Sequence, residues 1–280
     1  MAYARVNDVN LYFEVHGEGE PLVLIIGHGS NALRWFRQIP ELSRHYRVIT
    51  FDNRGAGRSD APDMPYTMAI MADDVAGLLD YLKIDRTHVW GTALGGFIAQ
   101  EFALRYPQRV LSLILGCAAT GGPHAVWRQP GEARDADRTR LEQLPREERV
   151  QRGLSNMFSQ GFIKSRPDVI EQFVTNAMAF VTPPHGFTRQ SEAIRSFDSY
   201  DRLPSMRIPA LVISAADDQI VPPVNSHIIA ERIPGAELMV LEGRGHGYYV
   251  EAAEEVNRIV LEFLARHPRM DRGNSAKPVV

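Results

Sequence analysis

A chain of 280 residues with 44% hydrophobic and 23% charged side chains can bury a full core, as one domain with an insertion or as two small domains. Its formal net charge of -3 gives no electrostatic reason to expect nucleic acid or an anionic membrane surface as a partner, and its single cysteine, Cys117, excludes an intramolecular disulfide framework. No apolar run approaches the roughly 18 residues a membrane span requires, and the opening Met1-Ala2-Tyr3-Ala4-Arg5 lacks the apolar core of a signal peptide, so a soluble, cytoplasmic protein is expected.

Residues 6–16 read as two short strands meeting at Asn7-Asp8, and 22–26 is a continuous apolar run of the kind buried on both faces of a parallel sheet. Residues 47–51 repeat that character. Helical spacing takes over between 66 and 83, with Met71, Val75, Leu78, Leu79 and Leu82 on one face, after a loop rich in Gly, Asp and Pro. A strand over 87–90, a helix over 94–106 and a strand over 110–115 follow. Strands alternating with helices predict an α/β protein with a doubly wound, mostly parallel sheet.

The rhythm breaks after Cys117, a small buried hydrophobe at a strand end, and no apolar strand run returns until Ala210-Leu211-Val212-Ile213. The expected organisation is a core of residues 1–120 and 205–266, a helical lid over 121–204 and a loose tail over 267–280. Within the lid, 131–151 is so rich in Arg, Asp and Glu that a solvated helix face is its plain reading. Phe158, Phe162, Phe173, Met178, Phe180 and Phe187 either fill a small lid core or face a substrate; packing is favoured for most, with Phe158 kept as a candidate pocket wall.

The chemistry concentrates at three strand ends. Gly91-Thr92-Ala93-Leu94-Gly95 has the glycine spacing of a nucleophile elbow, the sharp strand-to-helix turn that presents a serine hydroxyl, but alanine occupies the centre. Alone, this segment is as readily a packing turn. The strand that resumes at 210 ends in Asp217-Asp218-Gln219-Ile220-Val221-Pro222, which puts a carboxylate at the carboxyl edge of the sheet. The apolar run 237–241 leads into Glu242-Gly243-Arg244-Gly245-His246-Gly247, a glycine-rich loop with one histidine. Each piece alone is weak, yet elbow, acid and histidine fall at successive strand ends in one order.

In that order, and in the segments 51–60 (Phe51-Asp52-Asn53-Arg54-Gly55-Ala56-Gly57-Arg58-Ser59-Asp60) and 113–117, the chain resembles the α/β-hydrolases to about Leu264. It looks like the branch of small bacterial esterases and lactonases that includes 3-oxoadipate enol-lactonase and aclacinomycin methylesterase. The resemblance implies the α/β-hydrolase fold with an inserted helical lid, no cofactor and no metal. It puts Ala93 at the nucleophile position, His246 as base and Asp218 as acid, with Asp217 as an alternative that spacing alone does not remove. The oxyanion donors it implies are the Leu94 N–H and the backbone of His28 in Gly27-His28-Gly29-Ser30, with Ser30 the competing register. Trp35 and Tyr248, close in sequence to that loop and to His246, are candidate substrate-binding walls beside Phe158. Asp52, Arg54 and Asp60 read as turn stabilisers with an internal ion pair.

Three readings follow. The leading one is a hydrolase of a small-molecule ester or lactone carrying an engineered serine-to-alanine exchange, able to hold substrate without turnover. The others are a natural His/Asp enzyme without covalent chemistry (a lyase, decarboxylase or cofactor-free oxygenase) and a non-enzymatic ligand-binding protein. The oligomeric state is left open, a homodimer included.

Overall fold

A computed structural model describes residues 2–127 and 145–268. Eight strands form one sheet: β1 (Ala2–Val6), β2 (Val9–His16), β3 (Pro21–Ile25), β4 (Arg47–Phe51), β5 (Thr87–Thr92), β6 (Val110–Gly116), β7 (Ala210–Ala215) and β8 (Glu237–Leu241). Their spatial order is β1-β2-β4-β3-β5-β6-β7-β8. At one edge β1 pairs with β2 and β2 with β4 antiparallel, and every other pairing is parallel. The continuous apolar runs follow from this position: every residue of β3, β5, β6 and β7 is buried, because helices cover both faces. Alternation survives one layer deeper, with Val23 and Ile25 in one core and Leu22 and Leu24 in the other.

The helices are α1 (Ile39–Leu42), α2 (Met68–Tyr81), α3 (Leu94–Arg105), α4 (Arg146–Met157), α5 (Gln160–Ser165), α6 (Pro167–Met178), α7 (Pro184–Ser196), α8 (Val224–Arg232), α9 (Tyr248–Glu251) and α10 (Ala253–Ala265). The helix read from the sequence near 66–83 is α2, started by the Thr67 side chain accepting from Ile70 N. Met71, Val75 and Leu78 of α2 and Phe97 and Phe102 of α3 fill one core; Val256, Val260 and Phe263 of α10 fill the opposite one. No described helix is long and apolar enough to cross a membrane.

The structure corrects the edge. β1 starts at Ala2, four residues before the expected start, because only Ala4 and Val6 face inward while Tyr3 and Arg5 face water, which leaves a weak apolar signal. Helices α4–α7 lie between β6 and β7 in the chain. Phe158 packs on Phe162 and Phe173 at ring-centroid distances of 5.5 and 4.7 Å, joining the α10 core, whereas Phe187 is 46% exposed. Of the charged stretch 131–151, residues 131–144 lie outside the described residues, as does the expected tail from 269 onward.

The turn from β5 into α3 leaves no room for a side chain at Gly91 or Gly95. A Cβ on Gly95 would lie 2.0 Å from the Ile25 carbonyl oxygen, so α3 meets β3 backbone to backbone. Gly95→Ala is therefore expected to cost about 3 kcal/mol or more of stability, read by urea unfolding. A loss below about 1 kcal/mol would mean that this contact yields without damage.

Candidate active site

Ala93 sits at the apex of that turn with φ 50° and ψ −121°, a conformation sparsely populated by any residue with a Cβ. Such strain costs about 1–3 kcal/mol and persists only where the surroundings over-determine it. Here they do: Ala93 N donates to Gly116 O at 2.9 Å, and Ala93 O accepts from Gly96 N and Phe97 N at 2.8 and 3.3 Å, starting α3. The positive end of α3 thus begins beside Ala93 and Leu94.

Asp218 and His246 meet behind it. Asp218, 4% exposed, accepts Ile220 N and Val221 N on Oδ1 at 2.7 and 2.9 Å, and its Oδ2 lies 2.7 Å from His246 Nδ1. This fixes the carboxylate and leaves Nε2 of the imidazole facing away from it. Asp217 points to solvent, its N–H spent on Arg244 O at 3.0 Å. The alternative between the two acids is a matter of which side of the turn is buried.

The histidine loop is held by the insertion. Gly247 N donates to Met157 O at 2.7 Å, and the buried Glu251 carboxylate accepts Gly245 N and Ser159 N at 3.3 Å each, with the Ser159 hydroxyl also donating to it. Ser159 in turn caps α5 by accepting from Phe162 N. Glu251→Ala strands these donors and is expected to cost about 2–3 kcal/mol in urea unfolding, whereas Ser159→Ala should cost about 1 kcal/mol. Equal, near-zero costs for both would show that this junction does not hold the loop.

The loop after β3 faces the elbow: a Cβ on Gly27 would come 3.2 Å from the Ala93 Cβ. It is clamped at both ends by residues following β4, with Asn53 Nδ2 donating to Ile26 O at 2.9 Å and Ala32 N to Asp52 Oδ1 at 2.7 Å. Asp52 is ion-paired to Arg58, Nε to Oδ2 at 2.8 Å, and Arg54 to Asp74, while Asp60 accepts from Asn10 N at 2.9 Å. Ser30 N closes the turn onto Gly27 O at 3.3 Å, which commits that N–H and distinguishes it from His28. The His28 imidazole rests on Phe187, with Nε2 2.9 Å from Phe187 O and 3.1 Å from Ser191 Oγ. Burial lowers its pKa, which favours the neutral ring. Further contacts tie the loop to α7 and the segment before it: Gly29 N to Gln190 Oε1 and Thr182 Oγ1 to Gly29 O, both 2.9 Å.

Between these parts lies a cavity of about 330 Å³ bordered by Ala93, Leu94, His246 and His28. The structure corrects the expected walls. Trp35 is fully buried between Trp90 and Tyr249, at ring-centroid distances of 4.9 and 5.1 Å. Tyr248 is buried with its hydroxyl packed so closely against Gly116 that a Cβ there would collide with it, and Phe158 lies under Gly247. None of the three borders the cavity; Arg34, Trp127, Met157 and Tyr249 do. Neighbours on one helical turn point about 100° apart, so choosing between Tyr248 and Tyr249 needs the register of a four-residue helix that periodicity cannot supply. Arg34 carried no sequence signal beyond standing next to Trp35.

Cys117, Asp218 and His246 each bring a ligand atom within 4.8 Å of the others, the one such group among the described residues. Burial and the adjacent Asp218 push the Cys117 thiol far up, so the sulfur is held protonated. A thiolate ligand is disfavoured, and these groups fit a hydrogen-bonded cluster better than a metal centre.

Comparison with known proteins places these features in a wider set. The family model described as alpha/beta hydrolase fold matches residues 20–253. A protein named carbamate hydrolase RutD from Azorhizobium caulinodans is 32% identical over 265 residues, 94% of this chain and 98% of that protein. The enol-lactonase from Burkholderia xenovorans superposes with a TM-score of 0.83 at 28% identity, over 94% of this chain and all of that one. A serine-to-alanine mutant of the meta-cleavage product hydrolase from Pseudomonas fluorescens, complexed with acetates, gives 0.80 at 27% identity, over 96% and 98%.

Proposed function

Because this chain belongs to the alpha/beta hydrolase fold family, we propose that its cavity is built for carboxylic esters, lactones or carbamates, and that Ala93 leaves it able to hold such a compound without the covalent step. The three substrate classes share one reaction, nucleophilic attack on an acyl carbon followed by loss of an oxygen or nitrogen leaving group. In this reading the acyl carbon sits over Ala93 and its oxygen faces the backbone N–H groups of Leu94 and His28, with the start of α3 behind the developing negative charge. His246 takes the proton of an attacking oxygen and returns it to the leaving group. Asp218 fixes the tautomer and stabilises the imidazolium. Helices α4–α7 act as the lid, since they hold both the histidine loop and the oxyanion loop.

The observation that carries the reading is the backbone of Ala93. A strained conformation costs stability and gives alanine nothing, whereas at φ 50° a serine would project its oxygen from the apex. An engineered serine-to-alanine exchange accounts for a complete frame around an inert residue, and a solved relative of this fold exists in a serine-to-alanine form. The test is Ala93→Ser assayed on short p-nitrophenyl esters, simple lactones and aryl carbamates.

One observation favours a second reading. The hydroxyls of Thr92 and Ser30 are directed to Gly116 O and His28 O, each at 3.3 Å, so neither is offered to His246 as a substitute nucleophile. A non-covalent enzyme would use His246 to draw a proton from substrate or water, with the backbone donors holding an enolate. Turnover by the Ala93 chain that disappears in His246→Ala would establish that alternative.

A further inference from the structure

The loop that faces Ala93 is shaped from the lid. Gln190 of α7 is fully buried, and its amide makes one bond of each kind: Oε1 accepts Gly29 N at 2.9 Å and Nε2 donates to Arg54 O at 2.8 Å. Those two partners admit one orientation of the amide, and the Arg54 end is itself anchored, since its guanidinium is buried against Asp74. From the segment before α7, Thr182 Oγ1 donates to Gly29 O at 2.9 Å. Gln190 does not border the cavity, so it reaches the site through the backbone of the loop.

Consecutive peptide planes connect that backbone to the His28 N–H. Gln190 fixes the plane between residues 28 and 29 through Gly29 N, and Thr182 fixes the plane between 29 and 30 through Gly29 O. The second of these planes carries Ser30 N, which donates to Gly27 O at 3.3 Å. Gly27 O and the His28 N–H lie on one trans peptide plane and point in opposite directions, so holding the oxygen aims the N–H. Gly29 completes the turn at φ 59°, and a Cβ there would lie 2.7 Å from the Phe187 ring. Loop and α7 meet so closely that a shift of one displaces the other.

We propose that Gln190 and Thr182 are positioning residues for the oxyanion donor: α7 and the segment before it set the direction of the His28 N–H, and hydrolysis requires the lid seated on this loop as well as a nucleophile, base and acid. This rests on the reading of the cavity as an acyl site, yet the hold on the loop can be read without turnover.

Gln190→Met keeps the length of the side chain and removes both of its bonds. In the unaltered Ala93 chain, amide exchange read by mass spectrometry on peptides spanning residues 27–33 is expected to quicken about tenfold or more in Gln190→Met, with β5 unchanged. In the Ala93→Ser background the same variant should lower kcat on p-nitrophenyl acetate about tenfold or more and leave KM within about threefold, because a misaimed donor weakens the transition state and not the ground-state complex. Gln190→Glu should stay within about threefold of its parent: a carboxyl buried against a carbonyl oxygen keeps its proton, so it still donates to Arg54 O and accepts from Gly29 N. Thr182→Val removes one hydroxyl alone, should lower kcat less but in the same direction, and carries the test should Gln190→Met fail to fold. Unchanged exchange of the loop in a folded Gln190→Met protein, or an unchanged kcat there, would overturn the proposal, as would equal losses in Gln190→Met and Gln190→Glu. A raised KM with kcat kept would make the contact part of the cavity's cover and overturn it equally. Failure of Ala93→Ser to hydrolyse any ester removes the acyl reading and leaves the exchange comparison to decide whether the lid holds the loop.

Discussion

Ala93→Ser is expected to raise kcat/KM on short acyl esters by about a million-fold over the Ala93 chain, the scale on which removing a nucleophile lowers turnover. The size follows from how little else has to change. The backbone at residue 93 already holds φ 50°, so the new oxygen requires no rearrangement of the turn. Asp218 already fixes Nδ1 of His246, which leaves Nε2 to receive a proton, and the loop after β3 is clamped at Ile26 and Ala32 before any substrate arrives. Preorganised donors and a preoriented base are what make one added hydroxyl effective. The extra atom also has space, because Ala93 borders the cavity rather than the core. A folded Ala93→Ser protein that stays within about tenfold of the Ala93 chain on esters, lactones and carbamates would remove the acyl-hydrolase reading.

Legibility in the sequence differs from element to element. The parallel sheet was legible because β3, β5, β6 and β7 are buried on both faces, which forces unbroken apolar runs. The edge strand β1 was misplaced because one of its faces meets water and its apolar content falls by half. That Ala93, Asp218 and His246 stand at strand ends could be read from the apolar runs and the glycine spacing, since tight turns restrict residue type. What spacing could not rank were near neighbours: Asp217 against Asp218, His28 against Ser30, Tyr248 against Tyr249. Each pair differs only in which way a turn rotates, and that is fixed by contacts spacing does not show: within the turn for Asp218 with Val221 N and for Ser30 N with Gly27 O, and across the fold for Tyr248 with Gly116. The cavity wall was least legible. Trp35 carries the aromatic signal but packs on Trp90, and the residue before it, Arg34, reaches the cavity.

In the Ala93→Ser background, Asp218→Asn is expected to lower kcat by about ten-thousand-fold while leaving KM little changed. The geometry says why an isosteric amide should be so damaging. Asp218 Oδ1 accepts two backbone N–H groups, from Ile220 and Val221, so the carbonyl oxygen of an asparagine must stay there and its NH₂ must turn toward His246 Nδ1. An amide donor opposite Nδ1 makes that nitrogen the acceptor and moves the ring proton to Nε2, where it blocks the base. His246→Ala should remove at least as much, because the proton then has no acceptor at all. The two variants also separate the covalent and non-covalent readings. A covalent hydrolase gains activity on Ala93→Ser exchange and loses that gain with either further change. A non-covalent His246–Asp218 enzyme would instead show the same His246 dependence in the unaltered Ala93 chain. If Asp218→Asn cost less than about tenfold, the 2.7 Å contact between Asp218 and His246 would be structural, and the acid would have to be sought elsewhere. Within 4.8 Å of His246, Cys117 is held as a neutral thiol, so Asp218 is the carboxylate that meets the imidazole there.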